Sequence, residues 1–274
     1  VSGIRIRTCG GQADRVLIVG NARGGKTELA RALLGGHPSW VVFDSKRNPR
    51  EWAEWGPALG AVVSQNPADI RRHERVVFQV DTRSLQDRAG WVREGRLGSV
   101  WTEALQSVFW RQEGVDLDVA TVAVFDEMMH TLPINAHPEA RRMSTQGGGL
   151  GIPVWGLTQA PLWVDTVTMS QADHCFAFTM MHDGYRQELS LRRGVNCDLL
   201  RTLGGRDHPD PERRYEFAYH QLGSDAWTPM APLEVNSEGV NPVTLSEPEN
   251  SEEAVDAPDI ATLQSAEEPV TEGA

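Results

Sequence analysis

Residues 15–27, RVLIVGNARGGKT, constrain the fold of this chain more than any other stretch. An apolar run, VLIV, enters a glycine-rich turn, and KTELARALL leaves it with helical spacing. The turn from Gly20 to Thr27 fits the phosphate-binding pattern G-x-x-x-x-G-K-[ST] in its proper strand–turn–helix context. Glycines let backbone N–H groups curl around phosphate oxygens, and the helix N-terminus adds its positive dipole. The expected nucleotide contacts are therefore Gly20, Asn21, Ala22, Arg23, Gly24, Gly25, Lys26, Thr27 and Glu28. Lys26 is expected to reach the β- and γ-phosphates of ATP, and Thr27 to ligate Mg²⁺.

Further apolar runs follow: WVVFD (40–44), RVVFQVD (75–81), TVAVFDE (121–127), IPVWGLTQ (152–159) and HCFAFTM (174–180). Continuous β-branched runs bounded by polar or Gly/Pro clusters suit strands buried on both faces. Between them, 26–34 and 97–113 read as helices, the second presenting Leu97, Val100, Trp101, Leu105, Val108 and Phe109 on one broad face. Strand–helix alternation predicts an α/β fold with a mostly parallel sheet flanked by helices. After Arg214, YEFAYHQLGSDAWTPM reads as a closing β-hairpin that turns at Gly-Ser-Asp.

From Leu233 to Ala274 the chain carries 11 of its 38 acidic residues and no basic one, which leaves 27 acidic against 26 basic residues in 1–232. The net charge of −12 thus belongs mostly to the tail. That tail, rich in Glu, Pro, Ser and Ala and without an aromatic residue, is expected to be disordered, with 1–232 as the folded domain. Lys26 and Lys46 are the only lysines, set against 24 arginines. The three cysteines, Cys9, Cys175 and Cys197, form no C-x-x-C pair, which argues for buried apolar thiols over a zinc site or disulfide framework. No apolar run reaches the roughly 18 residues of a membrane span, and a charged-then-apolar leader is missing, so the expected location is cytoplasmic, in a host cell or virion if the gene is viral.

TVAVFDE ends an apolar strand in Asp126 and Glu127. An acid at that position holds Mg²⁺ through water, the Walker B role, and a second acid can deprotonate an attacking water. Glu127 favours a hydrolytic ATPase over a kinase, which must exclude water. In GIPVWGLTQAP a further strand ends in Thr158 and Gln159, where a polar residue can sense the γ-phosphate.

In this order the motifs resemble the FtsK/HerA-type translocase ATPases, closest to the genome-packaging members, over residues 15–220. VVFDSKRNPREW is similar to the Asp-x-Lys segment of that family, and the block ending GLGIPVWGLTQAP to its helix-then-strand run; ADHCFAF and YRQEL also fit. The resemblance implies a RecA-like (ASCE) P-loop fold, ATP hydrolysis with Mg²⁺, and a hexameric or pentameric ring that threads double-stranded DNA without sequence preference. It also implies docking on a capsid or portal-like protein, no direct membrane insertion, and an arginine from the neighbouring subunit in each ATP site. Many relatives have that arginine where this chain has Gly148. Arg141 and Arg142 just upstream are the nearest substitutes, with Arg186 a further candidate. Lys46 either lines the nucleotide or subunit edge or is a solvated loop lysine.

For DNA, the best local candidate is 81–98, with Arg83, Arg88, Arg93 and Arg96 around Trp91, although Asp81, Asp87 and Glu94 interrupt the positive charge. Two alternatives to a packaging motor stand beside it: a coupling ATPase for conjugation or secretion, and a nucleotide-switched assembly or partitioning protein.

Overall fold

The apolar runs form the centre of one sheet. The computed structural model describes residues 4, 6, 7, 13–46, 51–79, 97–113, 115, 120–132, 138–224 and 226–232. Cys9, the arginines 83, 88, 93 and 96 with Trp91, and the acidic tail 233–274 lie outside the described residues. The strands are β1 (Val16–Val19), β2 (Trp40–Asp44), β3 (Val62–Ser64), β4 (Arg75–Gln79), β5 (Val122–Asp126), β6 (Val154–Thr158), β7 (His174–Phe178), β8 (Phe217–Gln221) and β9 (Thr228–Met230). They lie in the order β3-β4-β2-β5-β6-β1-β7-β8-β9. Every pair from β3 to β7 is parallel, and β8 and β9 close the edge antiparallel, as the sequence of 215–230 predicts.

Alternate side chains fill two cores. Leu17, Val19, Phe43, Phe125 and Ala177 face one side, and Ile18, Trp40, Val124, Leu157 and Phe176 the other. This double burial is why the strands read as unbroken apolar runs rather than alternating ones. Helices α1 (Lys26–Leu34) and α2 (Trp52–Ala58) cover the second face through Leu29, Ala30, Leu34 and Trp52. The first is covered by α3 (Pro67–Arg72), α4 (Leu97–Gln112), α5 (Met128–Thr131), α6 (Pro138–Gln146), α7 (Thr166–Ser170), α8 (Asp183–Arg193) and α9 (Cys197–Thr202). Helix α4 buries Trp101, Ala104, Leu105 and Val108, whereas Val100 is 48% exposed. At 3.6 residues per turn Val100 lies about 100° round from Trp101, off the buried face, and the small Ala104 takes its place.

Cys175 is fully buried in β7, and burial pushes its thiol up to about 12, so it is an inert core residue; Cys197 is half-buried at the start of α9. No helix among the described residues is long and apolar enough to cross a membrane.

Candidate active site

The C-terminal ends of the parallel strands carry the chemistry, at the edge where open α/β sheets bind ligands. Strand β1 delivers the chain into Gly20, whose amide donates to the Thr158 carbonyl (3.2 Å). A Cβ at Gly20 would stand 2.6 Å from that of Phe178, so only glycine lets the loop leave β1 beside β7. Gly25 caps α1 in the left-handed region (φ 99°), which turns the chain into the helix.

The expected loop residues divide by position. Ala22, Arg23, Gly24, Gly25, Lys26, Thr27 and Glu28 line one cavity of about 630 Å³, within the usual range for small-molecule sites. Gly20 and Asn21 are not part of that lining; their carbonyls accept from the Lys26 ammonium at 2.9 and 2.7 Å. Lys26 is 5% exposed, and burial pushes its pKa down to about 8 against the pull of Glu127.

Across the cavity, β6 lies between β1 and β5. Glu127 follows β5 in the left-handed region (φ 54°), and its carboxylate is clamped from β6. Oε2 accepts from Gln159 Nε2 (2.9 Å), and Oε1 from the Gln159 amide (3.2 Å) and the Thr158 hydroxyl (3.4 Å). Asp126 is wholly buried. Its Oδ1 meets Lys46 Nζ at 3.3 Å, while Oδ2 has no hydrogen-bond partner among the described residues. Burial pushes the Asp126 carboxyl up to about 6, with Lys46 opposing and Asp44 among the carboxylates reinforcing the rise.

Lys46 lines the cavity and is not a solvated loop lysine. Its ammonium lies 3.3 Å from Asp126, 3.8 Å from Glu51 and 4.0 Å from Glu127. Burial lowers its pKa, but the three carboxylates outweigh that and raise it. Arg31, Glu51, Phe178 and Tyr215 complete the wall; none is singled out individually by the sequence, and each arrives from a different part of the fold.

The buried Asp126 oxygen without a donor has the chemistry to suit a divalent cation that also takes oxygens from a nucleotide and from water. Among the described residues no cluster of three or more His, Cys, Asp or Glu is placed to hold a metal alone.

The arginines separate clearly. A Cβ at Gly148 would lie 2.7 Å from the Ala13 carbonyl oxygen, so this backbone admits no side chain there. Arg186 is 4% exposed and is bonded to the Met180 carbonyl and Asp183, which ties the first turn of α8 to the segment leaving β7. Arg141 and Arg142, on α6, are not among the residues lining the cavity of their own chain; both guanidiniums are about half exposed, 3.8 Å from Asp165 and 3.7 Å from Glu139. Arg142 also lies over the Phe109 ring.

No protein-family model matches the sequence, and no curated protein does. Solved structures do match. The genome packaging NTPase B204 from Sulfolobus turreted icosahedral virus 2, in complex with AMP, superposes with a TM-score of 0.60 over 80% of this chain and 97% of that one, at 18% identity. This chain shares the fold of that protein. The same packaging NTPase in complex with ATP-gammaS gives a TM-score of 0.61 at 16% identity, over 80% of this chain and 97% of that one. VirB4 of Thermoanaerobacter pseudethanolicus gives 0.50 at 12%, over 84% and 92%. The mostly parallel sheet flanked by helices expected from the sequence is thus met at the level of fold.

Proposed function

We propose that this chain is an Mg²⁺-dependent ATPase that moves double-stranded DNA, packaging a viral genome into a capsid. The observation that carries the reading is the Glu127–Gln159 pair held over the phosphate loop. A base clamped from the strand beside the loop is set to orient a water at the γ-phosphate. Lys26 would neutralise the β- and γ-phosphates, and Gln159 would couple the presence of the γ-phosphate to the Glu127 carboxylate. Thr27 and, through water, Asp126 would hold Mg²⁺, which supplies charge neutralisation between the β- and γ-oxygens. Likeness to a nucleotide-bound packaging NTPase supports the substrate and the task.

The motor would work as a hexameric or pentameric ring in the host cytoplasm or virion, docked on a capsid or portal-like protein and without inserting in a membrane. DNA would be gripped through its phosphates, without sequence preference. Arg141 or Arg142 of one subunit would enter the neighbour's site, since Gly148 has no room for a side chain and Arg186 is engaged internally.

Steady-state hydrolysis tests the reading. Wild-type turnover should rise with double-stranded DNA, and Glu127→Gln should bind ATP while losing about a hundredfold or more of the rate, the usual contribution of a positioned base. A rate indifferent to DNA, or a Glu127→Gln chain that hydrolyses normally, would overturn it.

A further inference from the structure

Tyr215 is one of three non-glycine residues with positive φ among the described residues, at 66°, and its ring is on the cavity wall. An aromatic side chain pays a steric penalty in that region, so the conformation persists only where the surroundings over-determine it. They do so here. Glu216, the next residue, accepts from the Gly204 amide (2.7 Å) and from Arg213 Nε (2.8 Å), and its own amide donates to the Gly204 carbonyl (3.1 Å). On the other side Arg214 Nε donates to the His208 carbonyl at 2.9 Å. Clamped at both neighbours, Tyr215 is left 38% exposed, and a Cβ at Gly25 would come within 3.5 Å of its ring.

Sheet order assigns the ring a task. Glu127 and Gln159 end β5 and β6, on one side of β1; Tyr215 precedes β8, which lies beyond β7 on the other side. A triphosphate lying along the loop with its terminal phosphate at Glu127 therefore directs its nucleoside towards Tyr215. We infer that Tyr215 is the platform on which the base of the bound nucleotide stacks, a subsite separate from the phosphate chemistry. The inference rests on the ATPase reading above. Stacking on an aromatic face holds any base, because every base has a π-face. The subsite thus selects for a nucleoside over bare polyphosphate and contributes nothing to hydrolysis of the terminal phosphate.

Binding of ATP and of inorganic tripolyphosphate, each with Mg²⁺, by calorimetry separates the alternatives. Tyr215→Asn is the informative variant, since asparagine tolerates positive φ and spares the clamp the strain an alanine would add. Tyr215→Asn should weaken ATP about tenfold, the lower range for loss of one base–aromatic stack, and leave tripolyphosphate unchanged. Tyr215→Phe should match wild type. Unaltered ATP affinity in Tyr215→Asn, or an equal loss for both ligands, overturns the inference, the latter by showing a brace for the loop. A wild-type chain that binds tripolyphosphate and ATP equally well also overturns it while sparing the phosphate site; one that binds neither removes the ATPase reading as well.

Discussion

At Gly148 the side chain is excluded by packing. The residue is buried in a short 3₁₀ turn after α6, its carbonyl accepts from the Ala13 amide at 3.4 Å, and a Cβ would press on the carbonyl of Ala13. Gly149, one position on, has open space around it. Placing an arginine here should thus fail structurally: Gly148→Arg should lower stability by about 1–3 kcal/mol, as overpacking does, while Gly149→Arg should leave the thermal midpoint near wild type. Equal midpoints would refute the packing account. Residues of this kind divide by legibility. Lys26, Asp126, Glu127 and Gln159 could be read from the sequence because each ends or follows a strand in a fixed order, and the structure brings Glu127 and Gln159 into contact. Arg31, Glu51, Phe178 and Tyr215 are not marked individually, although Glu51 and Phe178 fall in segments noted for resemblance, because the cavity collects them from α1, the approach to α2, β7 and the turn before β8, and a segment does not say which of its residues reaches a wall built by tertiary packing.

Among the elements, the central strands were legible for the reason that makes them strong: both faces are buried, so the apolar run is continuous. Strand β3, three residues with Val63 exposed at the sheet edge, lacks that signature. Helix α2 spans seven residues and contains Pro57, too short and too interrupted to show a helical period. At the opposite end of β1 from the cavity, elements are tied by charge. Asp14 accepts from the Arg7 backbone (2.7 Å) and Arg7 Nε (3.0 Å), and pairs with His174 Nε2 at 3.0 Å; His174 Nδ1 meets the Tyr219 hydroxyl at 2.7 Å. Burial raises the Asp14 pKa, but Arg7 and His174 outweigh it and hold the carboxyl below its ordinary value. The unfolded chain therefore takes up this proton first as pH falls. Stability from the ionised group is present above the usual carboxylate range and is lost as pH drops through the lowered folded value. Urea unfolding from about pH 6 to 3 should show wild type losing more stability than Asp14→Asn; parallel losses would exclude Asp14 as a source of acid sensitivity.

For the whole molecule, the proposed ring makes each site the joint property of two chains. A chain with Arg141→Ala and Arg142→Ala should bind ATP yet hydrolyse it about a thousandfold or more slowly, the lower range for loss of a supplied arginine. Mixed with Glu127→Gln, which keeps its arginines, it should regain part of its activity, because the arginine-deficient chain keeps Glu127 and its site is then completed by the arginines of the other variant. A mixture as inactive as its components would locate the arginine elsewhere. Charge at this scale was legible only as a sum: −12 overall, near zero in 1–232. Where it is concentrated in space, the balance is made by very few groups.

That economy has a chemical corollary. The chain has 24 arginines and two lysines, and both lysines belong to the wall of one cavity. Lys26, with its pKa near 8, holds an appreciable fraction of free amine close to neutrality. Acylating and aldehyde reagents, which scatter over the surface of most proteins, are confined among the side-chain amines of this one to a single cavity, the one proposed to hold the nucleotide. The same scarcity turns random amine coupling, used elsewhere to immobilise or label a protein harmlessly, into inactivation.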